Sequence, residues 1–278
     1  MLHKGYNMDT NYIKAIIDMS QARVDFEQKR FVNKQPINKL VGYDTIIDSL
    51  KTKGYAVVEN FYSEQKCRAL RAEIDRVHKL HENDGFLWVD KYGADKRVFG
   101  AEVDSDLIRE FYKDEFLLDI AQNYFGSTMF NSNTLAARID ATPYNIGSGQ
   151  GWHRDAHHFQ FKAIVYLSDV TIDNGPFQII EGSHRSGNAL RNMVTMDIKD
   201  MTTRYTDEQI QKVIDEDSSK YRVLTAKAGT LVFADTSSLH AGMPIKEGYR
   251  YSLFNYYYPS WENKEDKRRY FNCVVKVK

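Results

Sequence analysis

The spacing of apolar residues changes near residue 127. Before that point, most apolar residues recur every three to four positions, which is the period of an α-helix. The first such stretch predicts a helix over residues 11–31. A second helix is predicted to begin after Ser63, its expected N-cap, and a third to run from Asp104, also an expected N-cap, to a stop at Gly126.

After residue 127, short β-prone runs alternate with turn signals, of which Asp173-Asn-Gly-Pro176 is the strongest. Many short strands separated by regular turns are typical of a sandwich or a barrel. A polar, partly helical insertion interrupts them at residues 186–219. The predicted strands are Gly54–Val58, which precedes the change, and Thr134–Ile139, Phe161–Leu167, Phe177–Ile180, Tyr221–Thr225, Thr230–Phe233 and Tyr249–Tyr258.

This pattern predicts one domain over residues 1–278. A mostly helical part, residues 1–126, is expected to pack on the outside of a β core formed by residues 127–260. The sequence contains no internal repeat, no low-complexity tract and no Gly/Ser/Pro-rich linker. The fold class is therefore expected to be mainly β with flanking helices.

Composition narrows the class of protein. The 278 residues carry 38 basic and 38 acidic side chains, and this neutrality argues against binding to nucleic acid or to a charged membrane surface. No apolar run approaches the ~18 residues of a membrane span. Two cysteines, Cys67 and Cys273, cannot build a disulfide framework or a cysteine-based zinc site. We expect a reduced, cytoplasmic protein with its chemistry in its polar residues.

The candidate metal ligands are His153, Asp155 and His240. Residues two apart on a strand end project to the same side, so His153 and Asp155 can ligate one metal. His240 follows a later β-prone run. Two imidazoles and one carboxylate form the facial triad of non-haem Fe(II) oxygenases, although Zn²⁺ and Mn²⁺ accept the same ligands.

Candidate residues for binding a co-substrate lie about ten residues after His240. Arg250 lies on a β-prone run and can grip a carboxylate through two parallel hydrogen bonds. Ser252 faces the same way and can donate a third. This pair predicts a site for a dicarboxylate co-substrate and disfavours a zinc hydrolase.

The sequence resembles the phytanoyl-CoA dioxygenase family of Fe(II)/2-oxoglutarate-dependent oxygenases over roughly residues 45–260. No single motif is specific to this family, but the order in which the motifs occur is. The matching motifs are Gly54-Tyr-Ala-Val-Val-Glu-Asn-Phe, Trp152-His-Arg-Asp155, Ile164-Val-Tyr-Leu-Ser-Asp-Val, Asn174-Gly-Pro-Phe-Gln-Ile-Ile-Glu-Gly-Ser-His184, His240-Ala-Gly and Arg250-Tyr-Ser252.

The resemblance implies a double-stranded β-helix, or jelly roll, that uses Fe(II), 2-oxoglutarate and O₂ to oxidise, most simply to hydroxylate, a C–H bond of a small molecule. His153, Asp155 and His240 would hold the iron. Arg250 and Ser252 would bind the far carboxylate of 2-oxoglutarate. The co-substrate would be converted to succinate and CO₂ during the reaction.

Five further residues are candidates for lesser roles. Arg97 and Arg138 lie in or beside early β-prone runs, where relatives often place a basic residue that helps to bind 2-oxoglutarate. Tyr166 follows the His-x-Asp turn on a strand and can point into the barrel. Trp152 is expected to pack beside the metal site, and Trp152 and His157 are candidates for substrate contact.

Two other functions remain open at this stage. One is a jelly-roll metalloenzyme of the epimerase or hydrolase kind, which Arg250 disfavours. The other is a catalytically silent jelly-roll binding protein, which the intact ligand set disfavours.

Substrate selectivity is expected to lie in the helical part, the 82–100 loop and the 186–219 insertion. Arg97, Arg138, Lys162 and His157 favour a polar or anionic substrate.

Overall fold

The computed structural model describes residues 10–275, so residues 1–9 and 276–278 of the predicted domain lie outside it. The helices are α1 Thr10–Val32, α2 Asp44–Lys53, α3 Glu64–Leu80, α4 Asp106–Tyr112, α5 Glu115–Phe125, α6 Ser186–Thr195, α7 Asp207–Glu216 and α8 Lys264–Tyr270. The strands are β1 Tyr55–Val58, β2 Leu87–Val89, β3 Asp95–Phe99, β4 Met129–Asp140, β5 Phe161–Tyr166, β6 Phe177–Ile180, β7 Tyr221–Leu224, β8 Leu231–Asp235, β9 His240–Gly242 and β10 Tyr249–Pro259.

The strands form two antiparallel sheets. The large sheet has the order β1-β8-β5-β10-β4-β3-β2, and the small sheet has the order β7-β6-β9. Chain neighbours are mostly not sheet neighbours, because the chain crosses from one sheet to the other between strands. The architecture is the predicted jelly roll, mainly β with flanking helices.

Helices α2 to α5 cover the outer face of the large sheet. Their apolar sides, including Leu50, Ile74 and Phe111, share one core with Phe161 and Phe233 of that sheet. All six residues of β5 are buried, because helices cover one face of the strand and the inside of the jelly roll lies at the other. This explains why β5 is an apolar run rather than an alternating one.

Helices α1, α6 and α7 pack together on the small sheet. Met19 of α1, Met193 of α6 and Ile210 of α7 share a core with Ile180 and Trp152. The 186–219 insertion is thus partly helical, as predicted. Its chain also pairs with the metal-site loop, because His153 and Arg204 form an antiparallel bridge.

Two of the predicted helix boundaries are confirmed and one is wrong. The Ser63 side chain accepts a hydrogen bond from the Lys66 amide, and Gly126 ends α5 with φ +80°. The helix predicted from Asp104 is instead two helices. Their N-caps are Ser105 and Asp114, and the Asp114 cap restarts the helix after α4 has ended.

The first 126 residues also contain β1, β2 and β3, of which only β1 was predicted. All three join the large sheet at its two edges, and β3 carries Arg97. Across residues 10–275, no helix combines the length and the apolar character needed to cross a membrane.

Candidate active site

The structure brings His153, Asp155 and His240 together. A backbone bridge pairs His153 with His240, the first residue of β9. Asp155 lies two residues further along the loop, and its backbone amide donates to the Thr236 carbonyl at 2.9 Å. The potential ligand atoms of all three side chains lie within 4.8 Å of one another. Such a spacing suits one metal ion.

Backbone carbonyls orient both imidazoles. The Nδ1 atoms of His153 and His240 lie 2.9 Å and 3.0 Å from the carbonyl oxygens of Gly151 and Ser238, so each Nδ1–H can donate there. The Nε2 lone pairs then face each other and the Asp155 carboxylate. Burial, together with the nearby His153, holds the pKa of His240 well below its usual value, which favours the neutral form that binds metals.

Glycine permits the close approach of the loop to His153. At Gly149 a Cβ atom would lie 2.4 Å from His153 Cε1, and the backbone has φ +82°. A larger residue would therefore displace the imidazole and strain the backbone.

Lys162 of β5 lies beside the triad. The sequence analysis counted it only among the residues that favour a polar or anionic substrate and did not predict it next to the metal ligands. Its Nζ atom is 2.6 Å from Asp155 Oδ2. Burial alone would raise the pKa of Asp155, but the charge of Lys162 and the contacts with both histidines outweigh it and keep that pKa well below its usual value. Asp155 is therefore an anion that is ready to ligate a cation. The sequence contains a signal for this position, because Lys162 interrupts an apolar run and lies on the same strand face as Tyr166.

Arg250 lines the same cavity from β10, and Ser252, two residues further along the strand, projects to the same side. Both are buried, and the Arg250 guanidinium donates through Nη1 to the Gly175 carbonyl. Arg250 Nε and Ser252 Oγ, however, have no hydrogen-bond partner among residues 10–275. Buried donors without partners are costly, so these two atoms fit a ligand that offers acceptor oxygens. The far carboxylate of 2-oxoglutarate meets that requirement.

Strand register places Arg97 and Tyr166 on this same face. Arg97 pairs with Ala137, which pairs with Ser252, which in turn pairs with Tyr166. Neighbours in such a cross-strand row project to the same side. Arg97 forms a buried ion pair with Asp95 and donates to Ser148 Oγ at 3.2 Å. Both Arg97 and Tyr166 line the cavity.

Arg138 does not lie with them, contrary to the prediction. It is one residue from Ala137 and therefore projects from the opposite face of β4, where it pairs in register with Tyr251. Its guanidinium forms ion pairs with Asp75 and Asp140 and lies 5.2 Å from the Tyr251 ring. These contacts give it a structural position on the outer face of the large sheet.

Trp152 and His157 are also absent from the cavity lining. Trp152 packs against Tyr221 in the core beneath the small sheet, with 6.2 Å between ring centroids. Burial and the neighbouring Arg154 lower the pKa of His157 to about 4. Its neighbour His158 lines the cavity instead and stacks on Phe26 of α1 at 4.4 Å.

The cavity has a volume of about 580 Å³, within the range of small-molecule sites. It holds all three triad residues as well as Arg250 and Lys162. Its lining excludes the 186–219 insertion, where we expected part of the selectivity. The remaining wall is largely aromatic and includes Phe26, Phe99, Phe254, Tyr256, Tyr258, Tyr270 and Phe271.

Comparison with known proteins agrees with this geometry. The family model for phytanoyl-CoA dioxygenase (PhyH) matches residues 50–247. Ectoine dioxygenase of Bordetella bronchiseptica is 23% identical over 212 residues, which cover 70% of this chain and 68% of that protein. The crystal structure of EctD from S. alaskensis with bound Fe has a TM-score of 0.61 at 16% identity, covering 82% of this chain and 80% of that one. The epimerase SnoN, in complex with Fe³⁺, alpha ketoglutarate and nogalamycin RO, has a TM-score of 0.59 at 18% identity, covering 78% and 83%.

The family match covers more than half of the chain, so this protein belongs to the phytanoyl-CoA dioxygenase family. It is a non-haem Fe(II)/2-oxoglutarate-dependent dioxygenase. The predicted family, fold and cofactors are confirmed.

Proposed function

We propose that His153, Asp155 and His240 hold Fe(II), that Arg250 and Ser252 bind the far carboxylate of 2-oxoglutarate, and that the enzyme hydroxylates a C–H bond of a small metabolite. One observation carries this proposal: a triad of two imidazoles and one carboxylate shares a cavity with Arg250, and the buried Arg250 Nε and Ser252 Oγ, on the same strand face, have no partner in the described chain. The relatives named ectoine dioxygenase support a small-molecule substrate.

Bound Fe(II), 2-oxoglutarate and O₂ supply the oxidative chemistry: one oxygen atom ends in succinate, with loss of CO₂, and the other ends in the hydroxylated substrate. The protein supplies orientation. Arg250 fixes the co-substrate at one end of the cavity, and the Gly151 and Ser238 carbonyls hold the two imidazoles in place. The aromatic wall excludes water from the reacting atoms.

Epimerisation is the second candidate, because SnoN is described as a 2-oxoglutarate-dependent epimerase. An arginine that binds 2-oxoglutarate, such as Arg250, therefore does not distinguish hydroxylation from epimerisation, although we expected from the sequence that it would. The mass of the product distinguishes them, because hydroxylation adds one oxygen atom and epimerisation adds none.

The free, buried thiols of Cys67 and Cys273 support the predicted cytoplasmic location.

Anaerobic titration tests the proposal. Apo-protein is titrated with Fe(II) and then with 2-oxoglutarate while visible absorption is followed. We expect a weak charge-transfer band that is lost in His153→Ala and kept in His158→Gln, a cavity histidine outside the triad. Folded protein that binds iron without giving the band would favour a metalloenzyme that does not use 2-oxoglutarate, and failure to bind iron would favour a silent binding protein.

A further inference from the structure

Strand geometry divides the cavity into two halves. Ser252 of β10 pairs with Tyr166 of β5, and four residues further along β10 Tyr256 pairs with Lys162. At about 3.3 Å per residue, these two pairs are roughly 13 Å apart. We call Arg250, Ser252 and Tyr166 the inner half, and Lys162, Phe254, Tyr256 and Tyr258 the outer half.

Within the described part of the chain, Lys162 is the buried cation of the outer half. It is 7% exposed, and lysine is seldom buried to this degree without a partner. Its ammonium group lies 2.6 Å from Asp155 Oδ2 and 4.5 Å from the Tyr256 ring centroid. Once Asp155 ligates a metal, its charge is shared with that metal, and the attraction to Lys162 weakens.

The charges of the loaded cavity do not cancel. Fe(II) and the dianion 2-oxoglutarate would balance each other, Arg97 is paired with Asp95, and Lys267 at the mouth is paired with Glu262. The Asp266 side chain at the mouth is 67% exposed, so water screens its charge from the buried groups. Among the residues that the structure describes, Asp155 then compensates only one of the two remaining buried cations, Lys162 and Arg250. One positive charge remains in a largely desolvated site, where an unpaired charge is costly.

We propose that the primary substrate is a small monoanion, a carboxylic acid in the simplest case, whose charged group is bound by Lys162 and whose body lies against Phe254, Tyr256 and Tyr258. This inference rests on the proposed function, which assigns the inner half to 2-oxoglutarate. Because Lys162 contacts a metal ligand directly, the oxidised carbon is within a few bonds of the anionic group.

Binding of matched acids and amides tests the inference without turnover. Anaerobic enzyme loaded with Fe(II) and 2-oxoglutarate is titrated with isobutyrate, cyclopentanecarboxylate and benzoate, and with the corresponding neutral amides. Calorimetry and the charge-transfer band report binding. We expect saturable binding of at least one acid, at least tenfold tighter than that of its amide, with the band perturbed but retained.

Lys162→Met is expected to weaken acid binding roughly tenfold to a hundredfold, as for a hydrogen bond to a charged group, and to leave the affinity for 2-oxoglutarate within about twofold. Lys162→Arg should recover part of the loss. Lys267→Met is the matched control, since Lys267 also lies 4.5 Å from a tyrosine ring, that of Tyr258, but is paired with Glu262. It should change acid binding little.

Several results would overturn the inference. They are equal binding of acids and amides, no binding of any acid, displacement of 2-oxoglutarate by the acids, or a Lys162→Met variant that loses affinity for 2-oxoglutarate rather than for the acids. Failure of the proposed function looks different, because the band would then be missing before any acid is added.

Discussion

The two halves of the cavity are built in different ways. Polar groups of the inner half come from neighbouring strands of one sheet, and their directions follow from strand register. The aromatic outer half is closed by Phe26 of α1 and by α8, which approach from opposite ends of the chain. Both helices lie outside residues 50–247, which the family model matches, but so do Arg250 and Ser252 of the inner half. The two halves therefore differ in how they are built and not in whether the family model covers them.

This difference in construction predicts different responses to substitution. The inner half requires only a few polar side chains in fixed directions, which strand register supplies. The outer half depends on the shape of its aromatic wall, and that shape can change when the helices that close the cavity, α1 and α8, change. We therefore expect substitutions in the inner half to change co-substrate binding, and substitutions in the outer half to change stability and substrate binding.

The largest effect is expected for Arg250→Ala. Removing one partner of a buried, hydrogen-bonded charge pair costs about 2–5 kcal/mol, so 2-oxoglutarate should bind at least roughly thirtyfold more weakly. Fe(II) binding should be nearly unchanged. Parallel titrations with metal and co-substrate measure both, and equal loss of both would show that Arg250 is structural.

Phe26→Ala is expected to act on the outer half. Phe26 is 7% exposed and packs against His158, Phe125 and Trp261, so the free energy of unfolding should fall by about 3 kcal/mol. Affinity for 2-oxoglutarate, measured on the folded fraction, should stay within about twofold. Denaturant unfolding gives the first quantity, and a large change in the second would contradict the division into halves.

Ser252→Ala removes one hydroxyl from the inner half. Because a hydrogen bond is worth about 1 kcal/mol, the affinity for 2-oxoglutarate should fall roughly fivefold. Stability without 2-oxoglutarate should be unchanged or slightly higher, since Ser252 Oγ has no partner in the described structure. A marked loss of stability would mean that the hydroxyl already has a structural bond.

The smallest effect is expected for Arg138→Met, which tests the assignment of strand faces. Its ion pairs with Asp75 and Asp140 are partly exposed, and such pairs contribute about 0–1 kcal/mol. Affinity for 2-oxoglutarate should be unchanged, in contrast to Arg250→Ala. A tenfold loss measured in the same titration would put Arg138 back in the co-substrate site.

The sequence by itself determined the features that depend on local geometry. Arg250 and Ser252 are two residues apart on β10, so they share a direction that the spacing alone predicts. His153 and Asp155 have the same spacing, although Asp155 lies in the loop that follows the His153 bridge. The Ser63 cap and most strands of the jelly roll, although not β2, β3 and β9, follow from equally local signals. The ordered motifs then joined these pieces into the family that the comparisons confirm.

Only the tertiary structure decided which of several similar residues reach the cavity. Arg97 and Arg138 look alike in sequence, but cross-strand register places one on the inner face of the large sheet and the other on its outer face. Phe26 and α8 are more than 230 residues apart and meet only in the folded protein. Register and helix packing depend on contacts between distant parts of the chain, which the periodicity of one segment cannot specify.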